Sequence, residues 1–524
     1  MPITQDLIFR NAQIVDGTGK PAFTGDVSVQ NGHIHEVGPS LATTESARAI
    51  DLEGNILCPG FIDVHVHSEL ALLTGEAIEC RIRQGITTDL LAPDGFAYAP
   101  LSPQRMAEMR QYLAVFNGEP DIGWDWKTYD DYLDLFDGRV ALNVVPQVGL
   151  NAIRAEAVGW DPRPATAAEL EHMKTLTRDV MEAGATGIQT GLEYFPSAQV
   201  TTEELVELCK VVYEYGGIYS SHIRGYGSRF LDSANEVFHL AEKTGIPVHF
   251  SHLPGTPEFY RPLEEASERG VDVTFEAYPY MAGCSHILYI TPAWVQGGTP
   301  DEVLERVGDR ETRDRIRQDV NDFFEIRSMQ LSNAVVCAAQ SPKDQHFIGK
   351  SLDVICKETS RDLTDVICDL TVENHMQALM IYFWNETPEV QTAKVRTAFT
   401  HPFQMVGSDA IYSKGLPHPR ARGTFPRVLG NFVREEGWLT LEDAIRRMTS
   451  FPAERYGLKD RGVIRPGAAA DLVVFDPETV TDHATYENGT LLSEGIDYVT
   501  VNGTLVLDDG EMCDTTPGRV LRRK

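Results

Sequence analysis

The chain is short of cysteine, of basic side chains and of long apolar runs, and each shortage removes a class of protein. Eight cysteines in 524 residues (Cys58, Cys80, Cys209, Cys284, Cys337, Cys356, Cys368 and Cys513) are scattered without a CxxC pair. That pattern argues against a disulfide scaffold and fits a reducing compartment. Lys and Arg total 46 against 77 Asp and Glu, a formal net charge of −31. No nucleic-acid partner is expected, because phosphate binding needs clustered cations. No apolar run approaches the roughly 20 residues that cross a bilayer, so no membrane association is expected. The opening stretch MPITQDLIFRNAQIVDG has no cationic start followed by an apolar run; a cytoplasmic protein without a secretory signal is expected. With 42% hydrophobic and 23% charged residues the composition is globular, and the length suits a large barrel with an appendage.

What is present changes character along the chain. DLIFRNAQIVDGTG and GDVSVQNGHIHEVG alternate like short strands joined by Asp-Gly and Asn-Gly turns. AADLVVFDPETV and DYVTVNGTLVLDDG repeat the style near the other end. Neither end has enough strands to bury a core alone, so residues 1–57 and 463–524 are expected to pair into one β-sandwich. Between them, residues 58–462 alternate apolar strand-like runs with amphipathic helices. The candidate strands cover 60–67, 85–92, 140–148, 185–192, 216–223, 246–253, 271–278 and 403–410. Eight strands alternating with helices predict an α/β fold, a distorted (β/α)8 TIM barrel. Residues of about 285–400 exceed an ordinary connection and are expected to form a helical insertion near the barrel mouth.

The chemistry concentrates at the predicted strand ends. His65 and His67 are two apart on a strand and therefore share a face. His222 closes GGIYSSHI, His252 closes IPVHFSHL, and Asp409 closes MVGSDA. In a barrel, these C-terminal ends open on one mouth. Four imidazoles and a carboxylate gathered there suit zinc or a similar borderline cation. His401 and His418 lie near the mouth by sequence as well.

These motifs, with RQGITTDLLAPDGFAYAP, GATGIQTGLEY, EAYPYMAGCS and HPRARGTFPRVLGNFVREE, resemble the amidohydrolase superfamily and, within it, the D-aminoacylase (N-acyl-D-amino-acid deacylase) family. The resemblance covers nearly the whole chain in order, most loosely over about residues 290–380. It implies a metal-dependent hydrolase of the amide bond in N-acyl-D-amino acids, working through a metal-activated hydroxide with Asp409 as general base. One cation would sit near His65 and His67 and another on His222 and His252, giving one or two ions, zinc first and manganese, cobalt or nickel as alternatives. A bridging cysteine of the family is replaced here by Asp94, a harder ligand that loosens selectivity for zinc; Glu193 is the fallback bridge. Arg420 falls where the family holds the substrate α-carboxylate, and a planar guanidinium can clamp a carboxylate with two hydrogen bonds. Tyr278 and Cys284 match substrate-contacting positions, Cys284 replacing the usual serine. Pro254 stands where a lysine often follows SHL.

Two other readings remain open at this point. Hydantoinase- or dihydroorotase-like cleavage of cyclic amides uses the same frame, but TGLEYFPS lacks the lysine those enzymes carboxylate. A non-amino-acid amide is the other possible substrate. A non-catalytic scaffold is disfavoured because the ligand set is complete. The expected partner is a small-molecule substrate, and a homo-oligomer is compatible with the sequence.

Overall fold

The computed structural model describes residues 7–42, 47–326 and 329–523. Five strands open the chain: β1 (Leu7–Ile14), β2 (Phe23–Gln30), β3 (His33–Gly38), β4 (Arg48–Asp51) and β5 (Ile56–Pro59). The central strands are β6 (Phe61–Asp63), β7 (Val66–His67), β8 (Ile86–Leu90), β9 (Asn143–Val145), β10 (Val148–Gly149), β11 (Gly187–Gly191), β12 (Ile218–His222), β13 (Val248–Phe250) and β14 (Val273–Ala277). Then come β15 (Ala282–His286), β16 (Ala334–Ala338), β17 (Leu379–Phe383), β18 (Gln404–Val406) and β19 (Ala410–Ile411). Four strands close the chain: β20 (Leu472–Phe475), β21 (Ile496–Val501), β22 (Thr504–Asp508) and β23 (Glu511–Met512).

The two ends of the chain share one sheet. Among the described residues its nine strands run β23-β22-β21-β20-β5-β1-β2-β3, with β4 on β1. The seam is the antiparallel pair β20–β5, in which Leu472 faces Pro59 and Val473 faces Cys58. An ion pair adds to it: Arg48 Nη2 donates to Asp508 Oδ1 at 2.8 Å. This sheet has its own core, in which Leu7, Phe9 and Leu57 from one end pack with Leu472 and Val474 from the other.

The central strands are parallel and buried on both faces, as sheets flanked by helices require. One ladder runs β6-β8-β9 and another β10-β11-β12-β13-β14-β18. Pro146, without an N–H to donate, falls at the break between β9 and β10. β19 pairs in parallel with β7, Ala410 opposite Val66. Three of the described helices start at a Thr-x-x-Glu capping box. Thr166 with Glu169, Thr201 with Glu204, and Thr299 with Glu302 each satisfy exposed backbone N–H groups reciprocally.

The long insertion departs from the helical expectation. Helices Pro300–Gly308 and Arg310–Ile326 form where TPDEVLERVG and its continuation predict them. A three-stranded antiparallel sheet, β15-β17-β16, runs through the same segment and begins at Ala282. VVCAA and LMIYF are short β-prone runs, easily overlooked beside long amphipathic helices.

A buried charge cluster joins the first central strand to the last. Arg81 is fully buried, its Nη2 lies 2.7 Å from Asp63 Oδ2, and the same nitrogen bonds Asp89. Ser68 donates to Asp89 at 2.7 Å, and the Ser408 N–H donates to Asp63 at 2.9 Å. Removing one partner of such a cluster strands the other charges in low dielectric. Arg81→Met is expected to destabilise the protein by about 3–5 kcal/mol, read as a lower urea midpoint; a shift worth under about 1 kcal/mol would show that the cluster is dispensable.

Candidate functional site

The site is assembled from the ends of the central strands. His65 lies between β6 and β7, His67 is in β7, Asp94 follows β8, Glu193 follows β11, His222 ends β12, His252 follows β13, and Asp409 lies between β18 and β19. Three of these residues adopt left-handed backbone: Asp94 at φ 54°, His252 at φ 34° and Asp409 at φ 50°. Non-glycine residues rarely do so, and such strain clusters at functional sites.

Asp94 sits at the centre. Its carboxylate lies 3.5 Å from His65 Nε2, 3.7 Å from His67 Nε2, 3.9 Å from His222 Nδ1 and 3.6 Å from His252 Nε2. Asp409 lies 3.7 Å from His65 Nε2 and 3.5 Å from His67 Nε2. These separations are long for good hydrogen bonds and suit groups arranged around a common cation. Among the described residues, two sets of donor atoms fall within 4.8 Å of one another: His65, His67 and Asp409, and His65, Asp94 and His252. His65 Nε2, His67 Nδ1 and Asp94 Oδ1 are buried without a hydrogen-bond partner. Buried imidazole and carboxylate atoms left unsatisfied in this way fit a divalent metal of borderline hardness.

His222 and Glu193 form a second layer of contacts. His222 Nε2 is 2.8 Å from Glu193 Oε2, and its Nδ1 is 3.1 Å from His252 Nε2. Tyr289 donates to Glu193 Oε2 at 2.5 Å. Glu193 thus stands against the far side of His222.

Glu276 in β14 was not singled out from the sequence, yet it orients much of the cluster. It is buried, its Oε1 lies 2.9 Å from His65 Nδ1 and accepts the His252 N–H at 2.7 Å, and its Oε2 bonds His249. Holding His65 by Nδ1 turns Nε2 toward Asp94 and Asp409, as partners of metal-binding imidazoles do. Burial alone would raise the Glu276 carboxyl, but His249 and His65 outweigh it and hold it at about 2. A charged residue inside the apolar run VTFEAY was the available signal.

Arg420, the first residue of helix Arg420–Arg427, is fully buried. Its Nη1 lies 2.8 Å from Asp409 Oδ2, and its guanidinium carbon is 4.7 Å from the Tyr278 ring centre. Burial pushes the Asp409 carboxyl up, but Arg420 and His67 pull harder and keep it below the ordinary range. Cys284 in β15 is buried, with its thiol lowered by a hydrogen bond with Cys337 and by nearby Arg420. His418 packs against the Tyr278 and Tyr280 rings and lies 3.0 Å from the Ala282 carbonyl. His401 does not join this end: it precedes β18, at the opposite end of the strand, and stacks on Tyr260 at 4.9 Å.

This architecture defines a class. The chain belongs to the amidohydrolase family, whose model matches residues 48–298 and 364–507. Within it, the chain is 32% identical to a D-aminoacylase of Alcaligenes xylosoxydans xylosoxydans, covering 99% of this chain and 98% of the relative. It is also 32% identical to an N-acyl-D-glutamate deacylase from the same organism, covering 99% and 96%. A crystal structure of N-acyl-D-glutamate deacylase from Bordetella bronchiseptica, complexed with zinc and a phosphonate inhibitor, covers 99% of both chains at 31% identity and a TM-score of 0.80. The motif resemblance therefore extends to the whole chain. No helix of the described residues is long and apolar enough to cross a membrane.

Beside the cluster, Glu69 holds the loop that carries Asp94. Its carboxylate accepts from the Ala92 N–H and from the Tyr132 hydroxyl, and Ala92 is left-handed at φ 57°. Burial pushes the Glu69 carboxyl from 4.5 up to about 7, against the pull of those two donors. Because the folded value is raised, this group's contribution to stability is full below pH 4.5 and lost as pH rises through about 7. Glu69→Gln is expected to gain about 3 kcal/mol relative to wild type between those limits. Thermal midpoints at acidic and alkaline pH check this; parallel curves for the two proteins would refute it.

Proposed function

We propose that the protein is a metal-dependent amidohydrolase that cleaves the amide bond of N-acyl-D-amino acids, with the site residues in the following roles. The reading rests on one juxtaposition: a buried guanidinium, Arg420, lies 2.8 Å from Asp409 at the edge of the histidine cluster, in a chain 32% identical to a D-aminoacylase. An amide hydrolase acting on an amino acid needs a base beside its nucleophilic water and a cation for the substrate carboxylate, and this pair supplies both. The companion reading of the fold is a closed, distorted (β/α)8 barrel over residues 58–462, supported by the return of β19 to β7. Residues 1–57 and 463–524 form a terminal β-sandwich, supported by their separate core.

His65, His67, Asp94 and His252 would hold the metal, with His222 adjoining and Glu193 behind it. When bound, a divalent ion (zinc first, then manganese, cobalt or nickel) acidifies water and polarises the amide carbonyl. Asp409 takes a proton from water as its oxygen adds to the carbonyl carbon. It returns that proton to the amine nitrogen as the C–N bond breaks, leaving a carboxylate and a free D-amino acid. Glu276 fixes the orientation of His65. Arg420 binds the α-carboxylate, while the Tyr278 ring covers one face of the guanidinium. Substrate binding also draws Arg420 toward a second carboxylate, which weakens its hold on Asp409 and makes Asp409 a better base.

Asp409→Asn is expected to lower kcat by about 10²- to 10⁴-fold while the purified protein still carries metal by emission spectrometry. Wild-type turnover in that variant would remove Asp409 from the role. An N-acyl amine lacking the α-carboxylate is expected to lose about 10²-fold in kcat/KM against the matching amino acid, the cost of an unpaired buried charge. Equal kcat/KM for the two compounds would disprove the assignment of Arg420.

A further inference from the structure

A cavity of about 680 Å³ opens beside His222 and His252, within the range of roughly 300–1,000 Å³ usual for ligand sites. Its wall is aromatic: Tyr226, Tyr278, Tyr280, Tyr289, Tyr382 and Trp384 all line it. Tyr278 touches both this cavity and Arg420, so the half of the substrate carrying the carboxylate faces these rings.

The ammonium in the cavity wall already has a carboxylate partner. Lys394 is the one lysine or arginine among the described lining residues, and Glu258 and Glu386 line it too. Lys394 Nζ is bonded to Glu386, and both side chains are 28% exposed. Lys394 is also fixed in place: it lies on helix Pro388–Phe399, and a Cβ at Gly255 would overlap its carbonyl oxygen. The insertion helix is thus seated against the turn after β13. Pro254, which also lines the cavity, adds no charge of its own. A second carboxylate on the substrate would leave water for a wall whose cation is taken, and burying a charge without a partner is costly. An aromatic side chain meets offset and edge-on ring contacts instead.

We propose that the cavity takes a large, uncharged and preferably aromatic D-amino-acid side chain, and that Glu386 is a specificity-determining residue because it cancels Lys394 and excludes acidic side chains. This rests on the deacylase reading above. Steady-state kinetics on the metal-loaded enzyme with N-acetyl-D-phenylalanine and N-acetyl-D-glutamate test it. The phenylalanine compound is expected to lead in kcat/KM by about 10²-fold. Glu386→Gln is expected to move the ratio about tenfold toward glutamate by releasing Lys394, and adding Lys394→Met should reverse that movement. A wild type that prefers glutamate, or a ratio unmoved by Glu386→Gln, overturns the proposal while leaving the deacylase reading intact. If neither compound is hydrolysed, calorimetric binding of both to the same metal-loaded protein decides. Tighter binding of the phenylalanine compound then sinks only the deacylase reading, and tighter or equal binding of the glutamate compound sinks this proposal as well.

Discussion

Glu276 is a carboxylate with almost no contact with water, and the rest of the site is arranged around what that demands. An ionised group in low dielectric must be surrounded by donors. Here they are His249, the His65 ring and the His252 N–H. Each donor has a consequence beyond satisfying the charge. The His65 ring is turned so that Nε2 faces Asp94 and Asp409, and the backbone of His252 is pulled into the turn after β13. One buried charge in β14 therefore sets the orientation of side chains reaching in from β6 and β13.

A second buried cluster does the same for the junction of the first and last strands. Arg81 binds Asp63 and Asp89, and Asp63 accepts the Ser408 N–H one residue before Asp409. The Asp409 N–H in turn donates to the His65 carbonyl at 2.8 Å. Asp409 is thus placed by backbone bonds to the strand that carries the HxH pair, and its side chain is free to face His67 and Arg420. In this protein the network ties the turn before Asp409 to β6, just ahead of the HxH pair.

The fold and much of the cluster were legible because they are written in local periodicity. Strand alternation puts His65 and His67 on one face, and apolar runs ending in His222, His252 and Asp409 mark three strand ends. Asp94 became legible only by alignment with a familiar motif, since an Asp in PDG reads equally well as a turn. Glu276, Tyr289 and Lys394 were not legible. Their importance depends on which distant element they face, and no spacing rule encodes the 211 residues that separate Glu276 from its partner His65. The same limit explains the insertion: β15, β16 and β17 pair across long separations, while each strand alone is only five residues long and β15, AGCSH, is not even apolar.

The left-handed residues show how local cost and long-range order balance. Asp94, His252 and Asp409 each hold a conformation that disfavours ordinary side chains by on the order of 1–3 kcal/mol. Glycine would relieve that strain at each position but would remove the carboxylate or imidazole that the turn presents. The strain is offset by specific bonds at each turn: Ala92 to Glu69 ahead of Asp94, His252 to Glu276, and Asp409 to the His65 carbonyl. Each bond runs from a site loop to a rigid element whose own position is fixed elsewhere. The net charge of −31 says nothing about this. What holds the site is a few buried charges whose partners come from different elements of the fold, so that the cluster is assembled only when those distant segments pack together.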